Sequence, residues 1–257
     1  MLLRFLKLTT INWVCFTSLL LPPEEVPTTW LTSLLASSQS PIQEADEGLV
    51  ASYNRGNSLL VQGNFEAAIV EFNKAAVLGS SVEDVFLSRG IAFEKLLRWD
   101  EAIKDYETAN SIHKNRLGFF STDDPIAISN KANAETGLEK WKDALLDFER
   151  ASQLKGDYLA PQIGRALVLC QLDRSDEAFA FFKLLVSKYP RFADGNAVLA
   201  VLSYRNGDMA AAQEFWEVAL EEDSRYQDVS WVRDIRRWPP ILVQGLNLFK
   251  AHVGDNF

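Results

Sequence analysis

From Glu47 onward, apolar and small residues recur at steps of three and four, broken by short polar stretches, which is the pattern of successive amphipathic helices. One phrase returns along the chain. In RWDEAIKDYETAN (98–110) an alanine is followed by an aromatic four residues on and a small residue three further. NFEAAIVEFNKAA upstream and KWKDALLDFERAS downstream repeat it. The leading alanines are Ala68, Ala102, Ala144, Ala178 and Ala212, separated by 34, 42, 34 and 34 residues. The aromatic slot holds Phe72, Tyr106, Phe148, Phe182 and Trp216, and the last slot holds Ala75, Ala109, Ala151, Leu185 and Ala219. Twelve residues before each leading alanine stands Gly56, Gly90, Ala132, Ala166 or Ala200. Self-similarity at such a period marks a stack of supersecondary units.

Each unit reads as two helices joined by a tight turn, marked by QGN before Phe65, LEK before Trp141, LDR before Ser175 and NGD before Met209. Gly or Ala is expected where the two helices approach closely. The aromatic is expected to fill the space between the second helix of one unit and the next unit, and burying such a ring stabilises by about 1.5–3 kcal/mol. One unit cannot bury its apolar face alone, whereas stacked units can.

The long gap places an insertion, HKNRLGFFSTDDP (113–125), between the second and third units. Gly118 would end the preceding helix, and Asp123 or Asp124 would cap the next, with Pro125 in its first turn. Two readings stand for the apolar residues Leu117, Phe119 and Phe120. They tuck over neighbouring helix ends, or Phe119 and Phe120 form an exposed anchor for a partner. Residues 224–257 read as a capping tail. YQDVSWVRDIRR (226–237) is expected to be a helix stopped before WPP, and ILVQGLNLFKAHV to carry a stripe of Leu242, Leu246, Phe249 and Val253. With Trp231 and Trp238 this stripe would cover the last repeat, and Arg236 and Arg237 are expected at a solvated helix end, contact with an acidic partner or lipid headgroups being the alternative.

Over residues 47–223 the chain resembles the tetratricopeptide (TPR) family, with the leading alanine, aromatic and small slots matched in all five units except for Leu185 in the last small slot. The resemblance implies an all-α, right-handed solenoid of about five repeats with a C-terminal capping helix. In that family the first helix of each unit lines a concave groove. The residues so placed are Tyr53, Asn57 and Leu60; Leu87 and Ile91; Ser129 and Asn133; Ile163 and Leu167; and Val201 and Tyr204. Some members hold the acidic C-termini of cytosolic chaperones with lysine, asparagine and arginine in these slots. Here only Asn57 matches, with Tyr53, Ser88, Ile126 and Asn130 in the other positions. A mostly apolar wall points instead to an apolar or amphipathic helix. That helix would belong to a membrane-complex subunit or to the chain's own N-terminal segment. The run DPIAISNKANAETGLEKWKDALLDFERA, with WVRDIRRWPP, looks like a group of cyanobacterial and plastid TPR proteins. That resemblance implies a plastid, thylakoid-associated scaffold (membrane or lumen) that assists assembly or maintenance of a photosynthetic complex.

Residues 1–40 differ from the rest. Arg4 and Lys7 precede LTTINWVCFTSLLL, and the small residues Ala36 and Ser38 follow. This reads as a secretory-type targeting segment, or as the rear part of an organelle-targeting presequence, removed by cleavage or kept as a membrane anchor. An N-terminus with no targeting role is the alternative. The formal net charge of −9 argues against general nucleic-acid binding, so an RNA-associated repeat protein is the runner-up, beside a general co-chaperone. The 2 cysteines, Cys15 and Cys170, leave a chain cut after the leader with a single thiol and no intrachain disulfide. His113 and His252 are far apart and beside no cysteine, so no metal site is expected. Catalytic and nucleotide-binding motifs are absent from the sequence. Neither a cofactor nor an enzymatic activity is expected.

Overall fold

A computed structural model describes residues 47–254. The targeting reading of residues 1–40 lies outside them. The described residues form twelve α-helices and two 3-10 turns, with no strand. Ten helices form five pairs. They are α1 (Glu47–Val61) with α2 (Phe65–Leu78), α3 (Glu83–Lys95) with α4 (Trp99–Leu117), α5 (Pro125–Gly137) with α6 (Trp141–Leu154), α7 (Leu159–Gln171) with α8 (Ser175–Lys188), and α9 (Ala193–Arg205) with α10 (Met209–Glu222). The tail adds a 3-10 turn (Ser224–Gln227), α11 (Val229–Asp234) and α12 (Pro240–Gly254). This is the expected all-α repeat architecture with a C-terminal capping helix. The chain divides into two compact units, with the boundary between Gln162 and Ile163, inside α7.

In the first unit the repeated alanines lie at the helix contacts, with Ala68, Ala75, Ala102, Ala109, Ala144 and Ala151 fully buried. The aromatic seats differ from expectation. A Cβ on Gly56 would come 2.5 Å from the Phe72 ring, and one on Gly90 would come 2.6 Å from that of Tyr106. The ring therefore rests on the glycine of its own unit, and the missing side chain is what admits it. Tyr106 also donates its hydroxyl to Glu94, at 3.0 Å.

A second periodic feature ties each of the first three pairs together. Arg55 meets Glu71 at 2.8 Å, Arg89 grips Asp105 through two bonds of 2.7 Å, and Lys131 meets Asp147 at 2.7 Å. Each pair spans 16 residues, from first helix to second. The sequence carried this signal as opposite charges repeating with the period. Only the structure shows that the two slots face each other.

Part of the insertion is helical. Residues 113–117 extend α4 to 19 residues, against 14 in each of the other second helices. Gly118, at φ 64°, ends it, and Asp124 caps α5 by accepting from the Ile126 and Ala127 amides at 3.0 and 3.3 Å.

In the second unit α12 packs on α9, and Leu242, Leu246 and Phe249 of the stripe are fully buried. The Val253 side chain lies outside the described residues. The segment before α12 is a short helix flanked by turns, since α11 spans only Val229–Asp234. Arg236 is not solvated. It is buried and its Nη2 lies 2.6 Å from Asp194 Oδ2. Tyr226 and the Trp238 indole donate to Asp194 Oδ1 at 2.6 and 3.1 Å. The carboxylate thus collects three donors, which offsets the cost of enclosing an ion pair.

Candidate protein-binding face

In the first unit α1 lies beside α3, and α3 beside α5. Their amphipathic spacing brings Tyr53, Asn57 and Leu60 next to Leu87 and Ile91, with Ser129 and Asn133 on α5. Tyr53, Leu87, Ile91 and Ser129 are buried, whereas Asn57, Leu60 and Asn133 are half-buried. The buried members serve the packing between helices. A charge placed on Leu87 or Ile91 would disturb the fold, so Leu60 is the cleaner probe of the face.

The polar part of this face centres on the Tyr53 hydroxyl, 3.5 Å from Ser88 Oγ. Burial, reinforced by the nearby Asp84 carboxylate, pushes the Tyr53 hydroxyl well above its ordinary range. Both polar atoms of the Asn57 side chain are shielded from solvent without a completed hydrogen bond, although the amide stands beside the Tyr53 hydroxyl. A shielded amide without a completed hydrogen bond is costly to a fold. Asp84, at the second position of α3, was passed over in the sequence. Asp84 is half-buried, and burial first, then Glu83 and Asp124, push its carboxyl up to about 6.

Beside Asp84 lies a charged joint at the insertion. Arg116 reaches Glu83 at 2.9 Å, and His113 Nδ1 lies 3.4 Å from Glu83 Oε2. Asn110 donates to Asp123 at 2.7 Å and accepts from the Asp124 amide at 2.8 Å, while Lys114 and Arg150 also pair with Asp123. Burial holds the His113 ring below its ordinary value. These pairs lock the end of α4 to the starts of α3 and α5. Phe119, beyond the joint, is 96% exposed. The Phe120 side chain lies outside the described residues.

In the second unit Ile163 is buried and Leu167 half-buried on α7. On α9, Val201 and Tyr204 are covered by the chain's own α12. A Cβ on Gly245 would come 2.6 Å from Val201 Cγ1. The Tyr204 ring lies 5.5 Å from that of Phe249 and 5.8 Å from that of His252, and the Ile241 amide donates to Gln171 Oε1 at 3.1 Å. The segment seated on this wall is therefore C-terminal. The N-terminal segment suggested by the sequence lies outside the described residues.

No model of a protein family matches the chain. Solved structures do. The MamA protein of Desulfovibrio magneticus RS-1, residues 41 to end, superposes with a TM-score of 0.57 at 17% identity, covering 72% of this chain and 99% of that one. YrrB, described as a TPR protein with an unusual peptide-binding site, superposes with a TM-score of 0.52 at 20% identity, covering 72% and 90%. The fold is the tetratricopeptide-repeat fold. A curated relative, the DnaJ homolog subfamily C member 7 homolog of Schizosaccharomyces pombe, is 28% identical over 105 residues, which is 39% of this chain. The match spans only 20% of that relative's length. Among the described residues no cluster of His, Cys, Asp and Glu is arranged to hold a metal ion, and no helix is long and apolar enough to cross a membrane.

Proposed function

We propose that the chain is a non-enzymatic protein-interaction scaffold whose first unit holds an apolar or amphipathic helix of a partner against α1 and α3. One observation carries this reading. Val201 and Tyr204 occupy the repeat positions of Asn57 and Leu60, and in the second unit those positions already carry a helix, α12. On this reading the equivalent positions of the first unit accept a partner's helix in the same way. YrrB, a TPR protein with a peptide-binding site, gives a precedent for the mode within the fold.

The partner class follows from the resemblance of residues 124–151 and 231–240 to plastid and cyanobacterial TPR proteins. The scaffold serves assembly or maintenance of a thylakoid membrane complex, and its client is a subunit of that complex or one of its helices. Residues 1–40 supply the targeting or membrane association. The test is affinity capture from gently solubilised photosynthetic membranes with the wild-type chain and a Leu60→Glu variant, read by mass spectrometry. Thylakoid subunits recovered by the wild type and reduced about tenfold or more by the variant are expected, since a charge in an apolar contact costs at least 1–3 kcal/mol. Recovery of ribosomal proteins and RNA, or equal recovery by both chains, overturns the reading.

A further inference from the structure

The insertion supplies two of the three side chains that meet at Glu83. His113 and Arg116 lie one turn apart on the extended end of α4, and Glu83 opens α3. Arg116 Nη2 lies 2.9 Å from Glu83 Oε1 and 3.2 Å from His113 Nδ1. A guanidinium has only N–H donors, so Nδ1 is the accepting nitrogen and the imidazole carries its proton on Nε2. That same Nδ1 lies 3.4 Å from the other carboxylate oxygen, Glu83 Oε2. Oε2 is shielded from solvent and has no hydrogen-bond partner. Two acceptors therefore face each other with no proton between them.

We propose that this joint is an acid-operated latch on the insertion: one proton taken up between His113 and Glu83 releases Arg116, and with it the end of α4 and the Gly118–Phe120 turn that carries the exposed Phe119. The release does not depend on which partner holds the proton. On the imidazole, the proton makes Nδ1 a donor to Glu83 Oε2, ends the bond that Nδ1 accepted and sets a like charge 3.2 Å from the guanidinium. On the carboxyl, it is donated to Nδ1 and removes the charge that Arg116 pairs with. The other charges around the joint are Lys114 on α4, Asp84 on α3, and Asp123 and Asp124 ahead of α5, with Arg150 of α6 on Asp123. Asp84 takes up a proton near 6 and so withdraws a further negative charge from around Arg116. Lys114 and Arg150 pair with Asp123, and Asp124 caps α5. The start of α5 therefore stays in place, and the movement is confined to residues 115–120.

Burial holds His113 below its ordinary 6.5 and Glu83 above its ordinary 4.5, so the pair takes up its proton between these values. The two shifts act in opposite directions on global stability. The folded imidazole binds fewer protons than the unfolded one, and the folded carboxyl binds more. The latch is therefore read locally rather than from a melting curve.

The test is hydrogen–deuterium exchange of the full chain at pH 7 and pH 5, corrected for the intrinsic pH dependence of exchange, with peptides over 115–121 compared against those over α8. In the wild type, protection of 115–121 is expected to fall by about fivefold or more relative to α8 at the lower pH. His113→Asn offers an amide oxygen to Arg116 and an amide N–H to Glu83 without a titrating group, and its protection is expected to change by less than about twofold. Glu83→Gln removes the charge that holds Arg116, and its 115–121 segment is expected to be poorly protected already at pH 7. Nitrogen-15 NMR of the wild type is expected to find the His113 proton on Nε2 at pH 7. A wild-type segment that loses no more protection than α8, an equal loss in His113→Asn, full protection of Glu83→Gln at pH 7, or a His113 proton on Nδ1 at pH 7 overturns the latch.

Discussion

Asp84 and Asp105 belong to the same helix pair, and burial raises the pKa of both carboxyls. Asp105 has the Arg89 guanidinium to offset that cost, and Asp84 has no such partner. A carboxylate in the first turn of a helix ordinarily gains about 0.3–1 kcal/mol from the helix dipole. At Asp84 that gain is outweighed. The carboxyl rises from 3.8 to about 6, a change that corresponds to about 3 kcal/mol at most. Between these values the folded chain keeps a proton that the unfolded chain has released, so stability falls as the pH rises through that window. Asp84→Asn is therefore expected to raise stability at neutral pH by about 1–2 kcal/mol and to change it little at about pH 4, as read from urea midpoints at the two values. A loss of stability at neutral pH would show that Asp84 has a cation in the free protein. The residue was legible in principle, because Asp84 and Asp194 share a repeat position. Acidic residues in first turns are so common on solvated helices that the pattern alone did not separate it from them.

At the scale of the element, the turn inside each pair is built the same way. One residue in left-handed conformation sits at its centre, and these are Gly63, Leu97, Glu139, Asp173 and Gly207, with φ of 77°, 58°, 57°, 61° and 81°. Their spacing repeats the 34, 42, 34 and 34 of the alanines. QGN and NGD announced their turns through glycine. Leucine and glutamate give no such signal, because the packing of the two helices imposes the conformation and the residue bears the strain. A non-glycine residue there costs about 1–2 kcal/mol, which exceeds the 0.5–1 kcal/mol of extra chain entropy that glycine loses on folding. Glu139→Gly is expected to stabilise the chain by about 0.5–1 kcal/mol. Glu139 is exposed, so little else changes. A lowered urea midpoint for this variant would contradict the account of the turn.

At the scale of the whole molecule, the repeat and the capping stripe were both legible because they depend on spacing. Slots recurring in five units, at 34 residues apart from one gap of 42, defined the helix pairs, and Leu242, Leu246 and Phe249 fell on one face of α12 as the helical period requires. What the sequence hid depends on distant partners. Arg236 looks like a helix-end charge until Asp194, Tyr226 and Trp238 are brought around it. The wall residues looked alike until α12 came to rest on Val201 and Tyr204, and the proposal places a partner on the equivalent positions of the first unit. Photo-crosslinking tests that central claim most directly. A benzophenone amino acid is placed at Leu60, on the proposed face, and in a second chain at Val77, which is 85% exposed on α2. The account predicts a partner adduct from position 60, mapped by mass spectrometry to one helical segment, and none from position 77. Adducts from position 77 alone, or equally from both, would contradict it.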